Sequence, residues 1–205
     1  MSPIIQSSLE KSMSYAAYRE LLKRLVATNS TTGLEKTEAL INYTMLNDRR
    51  MKRWDKTVKV PEEAQHKISE FNHKMTWLVI SESWCGDAAH VLPVLNKIAE
   101  LNDNVNYRVV LRDENPELMD AFLTNGNRAI PKLIIIDNDT GEVMTTYGPR
   151  PSEATGYVKR FKAKNNMLTA GFKEDLQHWY NKNKGVNVID DITEILGKLQ
   201  SRVYQ

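Results

Sequence analysis

Ser83-Trp84-Cys85-Gly86-Asp87-Ala88-Ala89-His90 marks a change of periodicity in the chain. Before it, Trp77-Leu-Val-Ile80 is a compact apolar run of strand length. After it, residues 85–101 carry helical spacing, interrupted by Pro93. The only cysteine of the chain therefore stands where a strand hands over to a helix. A thiol at that place faces unsatisfied backbone N–H groups and the positive end of the helix dipole, both of which favour thiolate. Gly86 permits a close turn beside it.

Working outward, residues 62–74 read as a short helix, 105–111 as a second strand and 116–123 as a helix opened by Pro116. Residues 133–136 and 142–147 read as two further strands joined by the turn Asn138-Asp-Thr-Gly141. Strands separated by a crossover helix should run parallel, and the last pair should form an antiparallel hairpin. The pattern predicts an α/β fold, a mixed sheet with helices on both faces. Flanking it are amphipathic helices over 12–28 and 35–54, a long helix over 152–180 bending near Gly171, and a last one over 190–201. Gly33, after the polar break Asn29-Ser-Thr-Thr, suits a helix end. The organisation expected is a helical extension over 1–60, a core over 61–165, and a helical extension over 166–205 packed on the core.

Composition narrows the function. One cysteine in 205 residues excludes an intramolecular disulfide and the common thiolate zinc sites. His66, His73, His90 and His178 show no ligand spacing, so no metal is expected, nor any cofactor. A formal net charge of +2 gives no general drive toward nucleic acid or membrane. The first residues have no signal-peptide pattern and no apolar run approaches the ~20 residues of a membrane span, so a cytoplasmic protein is expected. Arg49, Arg50, Lys52, Arg53 and Lys56 cluster at the end of the second helix, as a solvated helix end or, with Trp54, as a cover over the Cys85 site or an anion site.

Several landmarks together resemble the thioredoxin family. Its active site reads Trp-Cys-Gly-Pro-Cys, against Trp84-Cys85-Gly86-Asp87-Ala88 here. Pro93 stands eight residues after the cysteine, at the family's helix proline. Asp113-Glu-Asn-Pro116 matches its Asp-x-Asn-Pro segment, and Ile130-Pro131 its cis-proline loop. The resemblance spans about residues 62–165. It implies a thioredoxin-like three-layer fold with Cys85 as the reactive group and Trp84, Gly86, Ile130 and Pro131 as the substrate-binding surface.

The departures bear on function. Ala88 replaces the second cysteine, so no dithiol cycle runs within one chain. Val79 stands where the family carries a buried acid. Asp87 replaces the family's proline; it is expected as an early-helix acid that tends to raise the pKa of Cys85. Trp84 reads as a half-exposed lid beside the thiol or as core packing. His90 reads as a surface or capping histidine; with Asp87 it is the nearest modulator of the thiol. One functional reading is thiol–disulfide redox chemistry through a single cysteine, with a protein or low-molecular-weight disulfide as substrate and an external thiol to resolve the product. The alternative is a redox-inactive module that binds a partner in the cis-proline groove. Peroxide chemistry ranks below both, because no Pro-x-x-x-Thr-x-x-Cys pattern precedes Cys85. The terminal helices either cover the sheet or form a homodimer surface.

Overall fold

In the computed structural model, which describes residues 1–165 and 167–203, the apolar run at Trp77 lies in the centre of a five-stranded mixed sheet. The central strand β2 (Met75–Ser81) is buried at every position, and β4 (Lys132–Asp137) at all but its last. Side chains alternate between the faces of a strand, so burial at every position means that both faces are covered. β3 (Val105–Leu111) pairs parallel to β2 across the crossover helix α5 (Ala88–Ala99). β4 pairs antiparallel on the other side of β2, and β5 (Val143–Tyr147) pairs antiparallel with β4. This is the expected α/β sheet with its terminal hairpin.

A fifth strand, β1 (Met13–Ser14), adds antiparallel to the far edge of β3. Two residues carry no alternation, which is why the sequence pattern shows a helix there instead. The residues before it form α1 (Pro3–Lys11), and the helix expected over 12–28 is α2 (Tyr15–Ala27), capped by Ser14, whose side chain accepts from the Ala17 N–H. Gly33 does not end that helix. It lies in the following loop at φ +88°, where an added Cβ would fall 2.7 Å from Asp113 Oδ2, and the next residue, Leu34, donates its N–H to that oxygen.

α3 (Glu38–Thr57) packs on both α2 and α5. Arg19 of α2 ties it down through Asp48 and Asp55, each at 3.0 Å. α4 (Glu62–Ser69) and α6 (Pro116–Ala121) are short. The single bent helix expected over 152–180 is two helices, α7 (Ser152–Asn165) and α8 (Ala170–Asn183). Thr169 starts α8 by accepting the Phe172 N–H, so a new cap, not a bend at Gly171, redirects the chain. α9 (Val186–Val203) closes against α4, α5 and α7. With α3 and α9 both on it, α5 is buried at ten of its twelve positions, as its all-round apolar sequence requires.

Candidate functional site

Cys85 lies in the turn between β2 and α5 and is 7% exposed. Its Sγ donates to the Ile130 carbonyl at 3.3 Å, and the Ile130–Pro131 peptide bond is cis. The sequence thus brings Cys85 and Ile130 into contact across 45 residues. Burial pushes the thiol up, to about 12, and the Asp87 carboxylate adds to that. The N–H groups of Ala88 and Asp87 and the Arg150 guanidinium act the other way and do not overcome it. The helix-terminus effect is present at the site, but desolvation is larger.

Asp87 occupies the N-cap position of α5 and makes no side-chain cap. It stands at the helix start, as the sequence indicates, with its carboxylate turned to other partners. Its carboxylate pairs with Arg150 Nη2 at 2.7 Å and accepts the Tyr180 hydroxyl at 2.9 Å. Burial raises its pKa, while Arg150 and Tyr180 oppose the rise. Arg150 follows a second cis peptide bond, Gly148–Pro149, that the sequence reading did not identify.

His90 is not at the surface. It is 3% exposed beneath α3 and α8. Trp54 Nε1–H donates to its Nδ1 at 2.8 Å, which assigns the ring proton to Nε2, and Nε2–H donates to Gln177 Oε1 at 2.7 Å. The ring stacks on Tyr180 at 4.4 Å between centroids. Burial pushes it down to about 3, with Arg50 and Arg53 adding to the fall against the Gln177 hydrogen bond. His90 is a neutral strut between α3 and α8, with both nitrogens engaged away from the thiol. The sequence reading missed this because helical spacing gives the face a residue lies on, not what covers that face.

Trp84 is half-buried, with the Arg112 guanidinium 4.8 Å over its ring. Trp84, Cys85, Gly86, Asp87 and Ile130 line a groove of about 890 Å³. Pro131 is buried one residue behind Ile130. The opposite walls come from Tyr43 and Arg50 of α3 and from Leu176 and Gln177 of α8. Helices from both ends of the chain therefore wall the groove; for α3 this is the cover over the Cys85 site that its basic cluster offered, while for α8 the sequence pointed to no such role.

Two further buried groups went unread. Ser83 is bound by Thr31, Thr32 and Thr44 hydroxyls within 3.1 Å, and its carbonyl accepts from Asn47 Nδ2 at 3.0 Å. Glu82 is fully buried; its Oε1 accepts the Asp113 N–H at 2.9 Å and its Oε2 has no hydrogen-bond partner among the described residues. Burial raises its pKa. The signal available was a lone acid closing an apolar strand. At the other end of β4, His73 Nε2 lies 2.8 Å from Asp137 Oδ2, with Asp139 close by. Asp137 Oδ1 already accepts the Asp139 and Thr140 N–H groups, so this is a clasp on the hairpin turn.

Among the described residues, no helix is long and apolar enough to cross a membrane. A family model described as thioredoxin matches residues 33–163. A crystal structure of a protein of unknown function from Pseudomonas aeruginosa is 15% identical, covers 93% of this chain and 95% of its own, and superposes with a TM-score of 0.62. A crystal structure of an HIV epitope scaffold is 16% identical, covering 91% of this chain and 99% of its own, with a TM-score of 0.56. At these identities the two structures speak to the fold alone. No curated protein matches the sequence.

Proposed function

The chain belongs to the thioredoxin family, and on that premise we propose that Cys85 exchanges disulfides as a single thiol. The observation that carries this reading is the position of Sγ, on the lining of the groove and against the carbonyl of the cis-proline loop. The Cys85 sulfur attacks one sulfur of a substrate disulfide. A Cys85–S bond forms, the substrate S–S bond breaks, and the departing thiolate takes up a proton equivalent to the one Cys85 releases through solvent. Ala88 holds no sulfur to displace the product, so the mixed disulfide persists until an external thiol attacks the substrate's sulfur in it and Cys85 is the leaving group. The substrate's half then leaves in a disulfide with that thiol, and Cys85 returns as a thiol.

A second reading, a binding module without turnover, is favoured by one specific observation. The thiol is pushed up to about 12 and donates to Ile130, so it is protonated at neutral pH. Exchange would then be slow near pH 7 and accelerate as pH rises. Mass spectrometry after incubation with small disulfides between pH 7 and 9.5 separates the readings. One adduct per chain, absent from Cys85→Ser, supports exchange. Removing the neighbouring negative charge lowers the thiol pKa, so Asp87→Asn should alkylate about tenfold faster at a fixed pH, the effect of roughly one pKa unit. If no disulfide gives an adduct at any pH, exchange is wrong and the binding reading stands.

A further inference from the structure

One residue of the basic run on α3, Arg50, reaches the groove beside Gly86. Arg50 Nη1 lies 3.9 Å from where a Cβ on Gly86 would sit, so the guanidinium hangs over the residue next to Cys85. The other arginines of the groove each have an acid: Arg112 pairs with Asp113 at 2.7 Å, Arg128 with Asp120 at 2.6 Å, and Arg150 with Asp87 at 2.7 Å. Arg50 has none among the described residues; it donates only to Asn47 Oδ1, at 3.0 Å. Lys173, on α8 across the groove, likewise has no ion pair among the described residues. Against them the groove holds one acid not neutralised by an arginine, Glu174, 3.9 Å from His178.

We infer that the groove selects small disulfides that carry carboxylates or other anions, with Arg50 and Lys173 taking the anion while Cys85 takes the sulfur. The inference rests on the exchange reading and names its substrate class. Half-buried Arg50 is already partly desolvated, so an arriving carboxylate gains a charge-assisted hydrogen bond with less solvent screening than at an open surface. A groove of about 890 Å³ falls within the range of small-molecule sites, roughly 300–1,000 Å³, which favours a compact disulfide over a folded protein. Once bound, the substrate reacts as above: its S–S bond breaks, one half joins Cys85, and the other leaves as a thiol.

The test compares three disulfides on the full chain: glutathione disulfide (anionic), hydroxyethyl disulfide (neutral) and cystamine (cationic). Each adduct rate is divided by the rate of the same disulfide with a free model thiol. The expected order is anionic, neutral, cationic, with the first at least tenfold ahead of the last and the gap narrowing in 0.5 M salt. Arg50→Gln should reduce the glutathione-to-hydroxyethyl ratio by about fivefold or more, and Lys173→Gln should reduce it less. Equal normalised rates for the three, or a ratio unmoved by Arg50→Gln, overturn the inference and leave exchange intact. If none of the three reacts, exchange fails, and S-methylglutathione decides the anion site separately by calorimetry. Binding that Arg50→Gln weakens by fivefold upholds the site; no measurable binding overturns it. Thermal unfolding of Arg50→Gln confirms that either result comes from a folded chain.

Discussion

The helices before the sheet and those after it both reach the Cys85 turn, and they hold different parts of it. On the N-terminal side the tie is made of uncharged groups and grips the backbone. Thr32 Oγ1 accepts the Ser83 N–H at 2.8 Å, Asn47 Nδ2 donates to the Ser83 carbonyl, and the Thr31 and Thr44 hydroxyls close the knot. On the C-terminal side the tie grips side chains that can titrate: Tyr180 bonds Asp87, and Gln177 bonds His90, whose Nδ1 is held from the other flank by Trp54. The first fixes where Cys85 is placed. The second fixes which charges stand next to it.

That difference implies an asymmetric response to acid, which is the largest effect expected. The folded pKa of His90, about 3, lies below its ordinary value of 6.5. Between those values the unfolded chain binds the proton and the folded chain does not, so stability falls as pH drops from 6.5 toward 3. The slope for one proton is about 1.4 kcal/mol per pH unit. Asp87, whose pKa is raised, works in the opposite sense just above pH 3.8, because there the folded chain holds the extra proton. Denaturant unfolding of wild type and His90→Gln across pH 4–7 isolates the histidine; the variant should lose that part of the slope. Parallel curves would mean that the His90 strut, shared by Trp54 and Gln177, is not the acid-sensitive element.

Ser83→Ala probes the other flank. Removing the shared hydroxyl leaves the Thr32 N–H and buried threonine hydroxyls short of a partner, at a cost of about 1–3 kcal/mol. Because no group that loses the Ser83 hydroxyl titrates, the loss should be nearly the same at pH 5 and pH 7, read from denaturant midpoints. A loss that grows in acid would erase the contrast between the flanks. The smallest effect is expected from Tyr180→Phe, about 1 kcal/mol for one hydrogen bond. The loss is read from denaturant midpoints at pH 7; an unchanged midpoint would show that the Tyr180 hydroxyl adds nothing to the C-terminal tie.

Much of the sheet was legible because its two inner strands carry unbroken apolar runs and its helices carry clear periodicity. β3 over 105–111 and the turn at 138–141 needed nothing beyond local pattern. β1 was illegible, since a two-residue edge strand exists only by virtue of the β3 edge it joins. The division between α7 and α8 reads in the sequence as a bend near Gly171, because Thr169, which caps α8, is one of many threonines with no local mark of that role. Of the candidate site, Trp84, Cys85, Gly86, Asp87 and Ile130 could be named from the local motif and the proline loop, and they do share one groove. Arg50 could be offered only as part of a basic cluster, and Arg150, Gln177 and Tyr180 could not be assigned to it, since they converge from segments far apart in the chain.

The sequence by itself determined the α/β order, the strand-to-helix placement of the only cysteine, and the loss of its partner to Ala88. These are local facts, written in periodicity and in single residue types. Only the tertiary structure decided the thiol's protonation state and the burial of His90. Both depend on what covers α5, and that cover comes from helices at either end of the chain whose own sequences carry no reference to Cys85. Desolvation is a property of the assembled surroundings, so a residue favoured as a thiolate by its helix terminus becomes a protonated thiol once the fold closes over it.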